Sequence, residues 1–193
     1  DPDYALTSRI SWDHINVCKT EEEYVDTFRN FIQNITSGGI LVYNEEDENL
    51  VKLVDEAENY FRKMPYKTPN YETKNGKTSV ETEMGQIPLK IFGKHNLLNL
   101  EGARLICNQL GILDEDFYEA MMSFSGASKR LEKVKRNDDV ILYRDFAHAP
   151  SKVKASVEAF AEQFPAMKKI GVLELHTYSS LNPAFLPQYK NTL

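Results

Sequence analysis

The amino-acid sequence predicts an α/β fold. Short apolar stretches alternate with amphipathic ones at the start of the chain, and a strand, a helix and a strand are predicted again in its last third. Between them lies a segment rich in strand-forming residues and in turn signals. This alternation is typical of sheets that are covered by helices.

The start of the chain is predicted to form two strand–helix pairs. The opening strand runs from about Tyr4 to Ile10. Thr20 is a candidate N-cap for the helix that follows, and Glu23 completes a capping box with it. An apolar strand at Ile40–Tyr43 leads into a second helix from Asp47 to about Arg62. The first helix has one apolar face, made by Tyr24, Phe28, Phe31, Ile32 and Ile35.

The middle of the chain is predicted to fold as a small antiparallel meander between Tyr71 and Phe92. Its turn signals are the pairs Asn75-Gly76 and Met84-Gly85. Two helices are predicted after it, one from Asn96 to Leu110 and the other from about Asp114 to Met122. The first of them ends at a glycine, which takes the left-handed conformation readily.

The last third is predicted to form a parallel strand–helix–strand unit. Its apolar strands are Val140–Tyr143 and Ile170–Leu175, and Pro150 stands at the first position of the helix between them. Two parallel strands that are joined by a helix form a right-handed crossover. We place a domain boundary before this unit, so that residues 1–115 form one domain and residues 116–193 begin another.

The composition argues against a nucleic-acid or membrane partner. With 23 Lys and Arg against 29 Asp and Glu, the formal net charge is -6. Phosphate backbones and anionic membranes demand clustered basic residues, which are dispersed here. No apolar run is long enough to cross a bilayer. Cys18 and Cys107 lie far apart and show no zinc-binding spacing, so we expect free thiols and a cytoplasmic location.

Three clusters of polar residues follow predicted strands, which is where open α/β sheets place ligands. The first cluster is Asp13-His14. A histidine beside a carboxylate can hold a divalent metal or orient a ligand. The alternative is a surface pair at a turn.

The second cluster runs from Gly93 to Asn99. Gly93 permits a tight turn from a strand into a helix. Asn96 and Asn99 are three residues apart, so a helix places their amides on one face, where they can match the donor and acceptor edge of adenine. The alternative is that Asn96 only caps the helix.

The third cluster runs from Asp145 to Pro150, between a strand and the start of a helix. A carboxylate there can accept hydrogen bonds from ribose hydroxyls, and the helix start favours anions. Arg130 precedes this cluster in Gly126-Ala127-Ser128-Lys129-Arg130. It is a candidate phosphate clamp, because a guanidinium pairs two oxygens at once. An ordinary loop aspartate and a solvated basic turn are the alternatives.

In this order, the clusters resemble the muramyl (Mur) ligase family. Gly93-x-His95-Asn96-x-x-Asn99 resembles the G-x-H-N-x-x-N motif at the end of the family's central ATPase domain. Residues 126–130 resemble the motif that opens its carboxy-terminal domain. Asp145-Phe146-Ala147-His148-Ala149-Pro150 resembles the D-[YF]-[GA]-H-H-P motif of the branch that works on UDP-N-acetylmuramate. Trp12-Asp13-His14 and Leu175-His176-Thr177-Tyr178-Ser179 resemble the family's D-H element and that branch's P-H-R-Y-S loop.

The resemblance implies a fold and a chemistry. Residues 1–115 would be the end of the central ATPase domain, a mixed sheet with helices, and residues 116–193 the start of a Rossmann-like carboxy-terminal domain. The implied ligase uses ATP and Mg2+ to phosphorylate the carboxylate of UDP-N-acetylmuramate. The amine of an amino acid or peptide then attacks the acyl phosphate, which forms an amide for peptidoglycan synthesis. Residues 12–14 and 146–148 favour the relative that attaches a recycled tripeptide, whereas residues 176–179 fit the addition of L-alanine. Together they favour the recycled tripeptide, with L-alanine as the next candidate.

The resemblance also assigns roles to individual residues. The metal ligand would be His14, and the catalytic set His14, Arg130 and His148. The nucleotide would contact His95, Asn96, Asn99, Arg130 and Asp145. The substrates would contact His148, His176, Tyr178 and Ser179. The chain departs from the family's pattern at Asn16, Ala149, Leu175 and Thr177.

The family's phosphate-binding loop, G-T-x-G-K-[ST], does not occur in the 193 residues. Because such a loop cradles the phosphates of ATP, we expect the chain to be inactive alone and to depend on amino-terminal parts of the same polypeptide. Two alternatives to a muramyl ligase stay open. One is a non-catalytic nucleotide-binding or interaction module, and the other is a ligase similar to the folylpolyglutamate synthetases, which share the fold.

Overall fold

A computed structural model of the chain describes residues 1–12, 17–175, 177, 180–183 and 186–192. By their contacts, the residues form two compact units. One unit comprises Asp1–Pro69 and Leu98–Phe117, and the other comprises Asn70–Leu97 and Tyr118–Leu193. These units are not continuous in sequence, so they do not test the predicted division into domains between residues 115 and 116, which stays a prediction.

The first unit is built on a parallel sheet with the strand order β1 (Tyr4–Thr7), β2 (Ile40–Asn44), β3 (Arg62–Tyr66). Helices α1 (Glu21–Gln33) and α2 (Glu48–Asp55) connect the successive strands. The central strand β2 is the most apolar of the three, and its side chains are buried from Leu41 to Asn44. Around it lies a core made by Ala5, Ile10, Ile32, Ile35, Leu41, Tyr43, Leu50, Leu53, Val54 and Phe61.

The predicted N-cap Thr20 of α1 is confirmed, whereas the Glu23 half of the predicted capping box bonds the amide of Lys19, one residue before the cap, and not the Thr20 amide. The Thr20 hydroxyl accepts a hydrogen bond from the Glu23 amide at 3.2 Å, and the Glu23 carboxylate accepts one from the Lys19 amide at 2.7 Å. The predicted apolar face is buried at Ile32 and Ile35, whereas Phe31 is 39% exposed. The cap therefore fixes where the helix begins, and the apolar spacing fixes which side faces the sheet.

The second helix is shorter than predicted. It ends at Asp55, and Arg62–Tyr66 forms β3 beside β2. Between them, the Asn59 side chain donates hydrogen bonds to the Ile32 carbonyl at 3.0 Å and to the Ile35 carbonyl at 3.2 Å. The extension of the helix to Arg62 was wrong because these tertiary bonds and the pairing with β2 outweigh the local helical spacing.

The second unit contains the predicted meander, which is confirmed. Its strands β4 (Tyr71–Lys74), β5 (Lys77–Thr82) and β6 (Gly85–Leu89) pair antiparallel in that order. Asn75 and Gly76 both have positive φ, 52° and 70°. That is the geometry of a type I′ turn, which the Asn-Gly pair predicts.

The helices after the meander are also close to the prediction. They are α3 (Lys94–Gln109), α4 (Asp114–Ser123) and α5 (Pro150–Gln163), and Pro150 takes the first helical position. The boundaries between the compact units fall within α3 and α4. Among the described residues, no helix combines the length and the apolar character needed to cross a membrane.

The predicted parallel crossover in the last third was wrong. The strand β8 (Ile141–Arg144) pairs antiparallel with β7 (Glu132–Arg136), a strand that the sequence did not predict. Ile170–Leu175 forms no strand, and Ile170 and Val172 are 81% and 95% exposed. An apolar stretch becomes a strand only where a neighbouring strand offers hydrogen-bond partners, and no described strand pairs with this one. A short 3-10 helix follows at Leu186–Tyr189.

Candidate functional site

Helix α5 provides one buried face on which several predicted site segments of the second unit rest. Val153, Ser156, Ala159 and Gln163 are all buried. Their spacing of three or four residues places them on one side of the helix. Each of the last three contacts a different part of the unit, and these contacts define the candidate site.

An aromatic cluster packs α5 against β8 and against the residue that precedes Gly93. The Phe92 ring meets the edges or faces of Tyr143, Phe160 and Phe164 at centroid distances of 5.6, 5.5 and 5.9 Å. Edge-to-face pairs at such distances add stability beyond the area they bury. This cluster holds the Gly93 turn, β8 and α5 together.

The turn at Gly93 requires glycine for two reasons. Its φ is 86°, and a Cβ built there would lie 2.5 Å from the Ala159 Cβ. Two carbon atoms in contact are normally about 3.5–4.0 Å apart. Gly93 therefore lets the chain enter α3 while its backbone lies directly against α5.

The polar residues of the second cluster occupy the first turns of α3. The Asn96 side-chain amide donates a hydrogen bond to the Phe92 carbonyl at 2.9 Å, which ties it to the Gly93 turn. The Asn96 side chain is half-buried. His95 is half-buried beside Gly93, and Asn99 is exposed one turn further along and belongs to the first compact unit. Asn96 is the third residue of α3 and its side chain donates this bond, whereas a cap residue precedes the helix and accepts one, so the capping alternative in its usual form is not what the structure has. The adenine contacts of these three residues stay a prediction.

Arg130 lies on a strained turn. The residues on either side of it, Lys129 and Leu131, have positive φ values of 58° and 42°. For a residue with a side chain this conformation costs about 1–2 kcal/mol. Such strain persists only where the surrounding structure over-determines it, and it concentrates at functional sites. The Arg130 side chain is exposed, whereas Leu131 is buried in the core of the unit.

The Asp145 carboxylate is the main support of this turn. Its Oδ1 accepts hydrogen bonds from the Leu131 amide at 3.2 Å and the Phe146 amide at 2.9 Å, and its Oδ2 accepts one from the Ser156 hydroxyl at 2.5 Å. A carboxylate has about four lone-pair positions, so most of its acceptor capacity is used within the protein. The contact of Asp145 with ribose stays a prediction, and the structure gives this residue a second task.

Arg130, Phe146 and His148 lie next to one another. The Arg130 guanidinium carbon lies 5.6 Å from the centre of the Phe146 ring, and the Phe146 and His148 rings meet edge to face at 4.9 Å. His148 Nδ1 lies 2.8 Å from the Phe146 carbonyl oxygen. The structure thus brings together three of the predicted site residues, Arg130, Asp145 and His148, in one loop cluster beside the start of α5.

Other predicted site residues lie outside the described residues. These are His14, the predicted metal ligand, and His176, Tyr178 and Ser179, the predicted substrate contacts. In the part of the chain that the structure describes, no group of three or more His, Cys, Asp and Glu side chains could hold a metal ion. His14 as a ligand of magnesium stays a prediction.

Two residues of the cluster were missed by the sequence reasoning. Ser156 is buried, and its spacing of three from Val153 places it on the apolar face of α5, which was the available signal. Glu132 accepts a hydrogen bond from the Lys129 amide at 2.7 Å and pairs with Arg144 at 3.0 Å. The amide bond, followed by the Arg144 contact, holds the pKa of Glu132 below its usual value. Both residues fasten the strained turn from opposite ends.

Comparison with known proteins identifies the family. The sequence profile described as Mur ligase middle domain matches residues 1–107. The UDP-N-acetylmuramate–L-alanine ligase of Caldicellulosiruptor saccharolyticus is 30% identical over 94% of this chain and 42% of its own length, and that of Lactococcus lactis subsp. cremoris is 27% identical over 92% and 42%. The chain thus spans about two fifths of these relatives.

A solved structure agrees at the level of the fold. MurF from Acinetobacter baumannii superposes with a TM-score of 0.75 over 99% of this chain and 43% of its own, at 17% identity. The predicted α/β fold class and the predicted family resemblance are both confirmed. The chain belongs to the Mur ligase family and carries the family's middle domain over residues 1–107.

Proposed function

We propose that this chain works within an ATP-dependent ligase that joins the carboxylate of UDP-N-acetylmuramate to the amine of an amino acid or peptide, in the cytoplasm, for peptidoglycan synthesis. The observation that carries the proposal is the 30% identity, over 94% of the chain, to a protein named UDP-N-acetylmuramate–L-alanine ligase. That alignment extends beyond the middle domain into the segment that contains Arg130, Asp145 and His148.

The proposed reaction links an amide bond to the cleavage of ATP. A phosphoryl group passes to the muramate carboxylate, the amine attacks the acyl phosphate, and an amide, ADP and phosphate are released. The developing charge on the transferred phosphoryl group requires fixed positive charge close by. Arg130 supplies a guanidinium group. The strained turn holds the backbone of this residue in one conformation. A fixed guanidinium can pair two phosphate oxygens with little loss of freedom.

L-alanine is the amine that the named relatives favour. The tripeptide, which the sequence motifs at residues 12–14 and 146–148 favour, is the second candidate. Both candidates share the muramate acceptor, so they differ only in the amine site. His148, His176, Tyr178 and Ser179 are the residues we propose for the acceptor and amine contacts.

The test uses the full-length protein with ATP, magnesium and UDP-N-acetylmuramate. Separate reactions receive L-alanine, the tripeptide, or folate with glutamate, and ADP release and product mass are measured. We expect ADP release and an amide product with L-alanine. Product with the tripeptide alone would move the proposal to recycling. Product from folate alone, or ATP binding without any turnover, would refute it.

The role of Arg130 is tested in the same assay with a matched control. Arg130→Ala should lower kcat about ten- to a hundredfold, because a hydrogen bond between charged groups contributes about 1.5–3 kcal/mol. Arg136→Ala removes an exposed arginine from β7 in the same unit and should change kcat less than twofold, in line with the small effects of about 0.5 kcal/mol at most surface positions. Equal effects of the two substitutions would remove Arg130 from the proposed site.

A further inference from the structure

The hydroxyl of Ser156 makes an unusual bond for a residue within a helix. A serine there commonly bonds the carbonyl four residues before it, or points to solvent. Ser156 is instead 9% exposed and donates to the Asp145 carboxylate at 2.5 Å. Asp145 precedes the helix, so this bond ties the loop to the buried face of α5.

The tie extends to the residues around Arg130. The other oxygen of Asp145 accepts the Leu131 amide at 3.2 Å, and the Phe146 amide donates to the Lys129 carbonyl at 2.8 Å. Lys129 and Leu131 are the two residues with positive φ, and they flank Arg130. The turn is therefore held from both sides by the loop that Asp145 begins.

We propose that Ser156 and Asp145 form a positioning pair, which holds the strained turn so that Arg130 is presented in one orientation. The proposal rests on the proposed function, in which Arg130 meets the phosphates. It assigns Ser156 a role that acts through Asp145 and Leu131, without contact to any substrate. The proposal also differs from a ribose contact in what it predicts for Asp145. Loss of this carboxylate would disturb the turn whether or not the nucleotide has ribose hydroxyls.

Hydrogen exchange of the full-length protein tests the structural part. Peptides that cover residues 127–146 are followed in the native protein and in Ser156→Ala, Ser156→Thr and Val157→Ala. We expect about tenfold faster exchange of the Leu131 and Phe146 amides in Ser156→Ala, the factor that corresponds to one lost hydrogen bond to a charged group. Ser156→Thr keeps the hydroxyl and should restore slow exchange. Val157→Ala, at the exposed neighbour, should leave it unchanged. Unchanged exchange in Ser156→Ala would overturn the proposal.

Kinetics of the same variants test the functional part. Ser156→Ala should lower kcat about tenfold in the native background and have no further effect beside Arg130→Ala, since a residue that acts through Arg130 has nothing left to position. Thermal denaturation confirms that each variant is folded. Multiplicative losses in the double variant would show an independent structural role and overturn the proposal.

The nucleotide distinguishes positioning from ribose binding. Asp145→Ala should lower kcat by the same factor with ATP and with 2′,3′-dideoxy-ATP, which lacks both ribose hydroxyls. A loss confined to ATP would show that Asp145 acts on the ribose and would contradict the pair. If the native protein has no ligase activity, the proposed function fails, and the exchange experiment alone decides whether the pair holds the turn.

Discussion

Replacing Gly93 by alanine should destabilise the protein through two separable effects. The first is backbone strain, since an L-residue at a φ of 86° costs about 1–2 kcal/mol. The second is a collision, because the new Cβ would lie 2.5 Å from the Ala159 Cβ and 3.3 Å from the His95 ring. Overpacking of this kind costs about 1–3 kcal/mol. We therefore expect the free energy of unfolding to fall by about 2–5 kcal/mol, the sum of the two terms.

Two further variants separate the strain from the collision. Gly85 lies in the same compact unit with a φ of 99°, and no described atom lies within 4 Å of a Cβ built there. Gly85→Ala should therefore show the strain alone. Ala159→Gly removes the Cβ atom with which the new side chain would collide. As a single substitution it should lower the free energy of unfolding by about 1 kcal/mol, because glycine is unfavourable in a helix. Combined with Gly93→Ala, it should restore stability.

Urea unfolding followed by far-UV circular dichroism measures all four proteins and the double variant. Gly93→Ala should lose at least about 1 kcal/mol more than Gly85→Ala, the lower bound of the overpacking term. If the two single glycine variants lose equal stability, or if Ala159→Gly is as harmful beside Gly93→Ala as alone, the close approach of α5 to the Gly93 turn is refuted.

Three other predictions follow from single contacts. Thr20→Ala removes the helix cap and should lower the free energy of unfolding by about 1 kcal/mol, whereas Thr20→Ser should change it by only a few tenths, both measured with urea. Gln163→Leu removes the bonds of 2.7 Å to the Gly76 carbonyl and to the Thr78 hydroxyl, which keeps Thr73 at 3.2 Å, and should cost about 1–3 kcal/mol in urea unfolding. Burial, followed by the charge of a nearby glutamate, raises the pKa of Tyr66 to about 12 from 10.0. The folded state therefore retains this proton more firmly, so the free energy of unfolding does not depend on this group below pH 10 and falls as the pH rises towards 12. Tyr66→Phe should flatten that alkaline loss in unfolding measurements, and it should leave stability at pH 7 unchanged or higher, because the buried hydroxyl has no hydrogen-bond partner among the described residues.

The sequence predicted those elements whose cause is local. The helix cap at Thr20, the Asn75-Gly76 turn and Pro150 at a helix start each act over four residues or fewer, and each is found where predicted. Such signals can be recognised from a few neighbouring residues, because the backbone groups that they bond or orient belong to the same turn.

The strands that were missed depend on pairing with another strand. Arg62–Tyr66 is a strand because β2 lies beside it, and Glu132–Arg136 is a strand because β8 does. Ile170–Leu175 has strand-forming residues and no described partner. Strand formation is a pairwise property, so a single segment cannot reveal it.

Some features of the candidate site could be predicted from the sequence, and others could not. The motif that begins at Asp145 predicted a cluster with His148 and Arg130, and the structure brings these residues together. The positive φ values at Lys129 and Leu131 could not be predicted, because neither residue type favours that conformation. The tie between Ser156 and Asp145 depends on how α5 is rotated about its axis, which tertiary contacts such as the aromatic cluster and the Gln163 bonds fix.

The buried face of α5 makes that helix sensitive to a change in its length. Each residue turns an α-helix by about 100°. Deleting one residue between Pro150 and Ser156 would therefore swing Ser156, Ala159 and Gln163 away together, and would release the Arg130 turn, the Gly93 turn and the meander tip in a single event. Substitutions along this helix can be repaired one contact at a time, but an insertion or a deletion cannot.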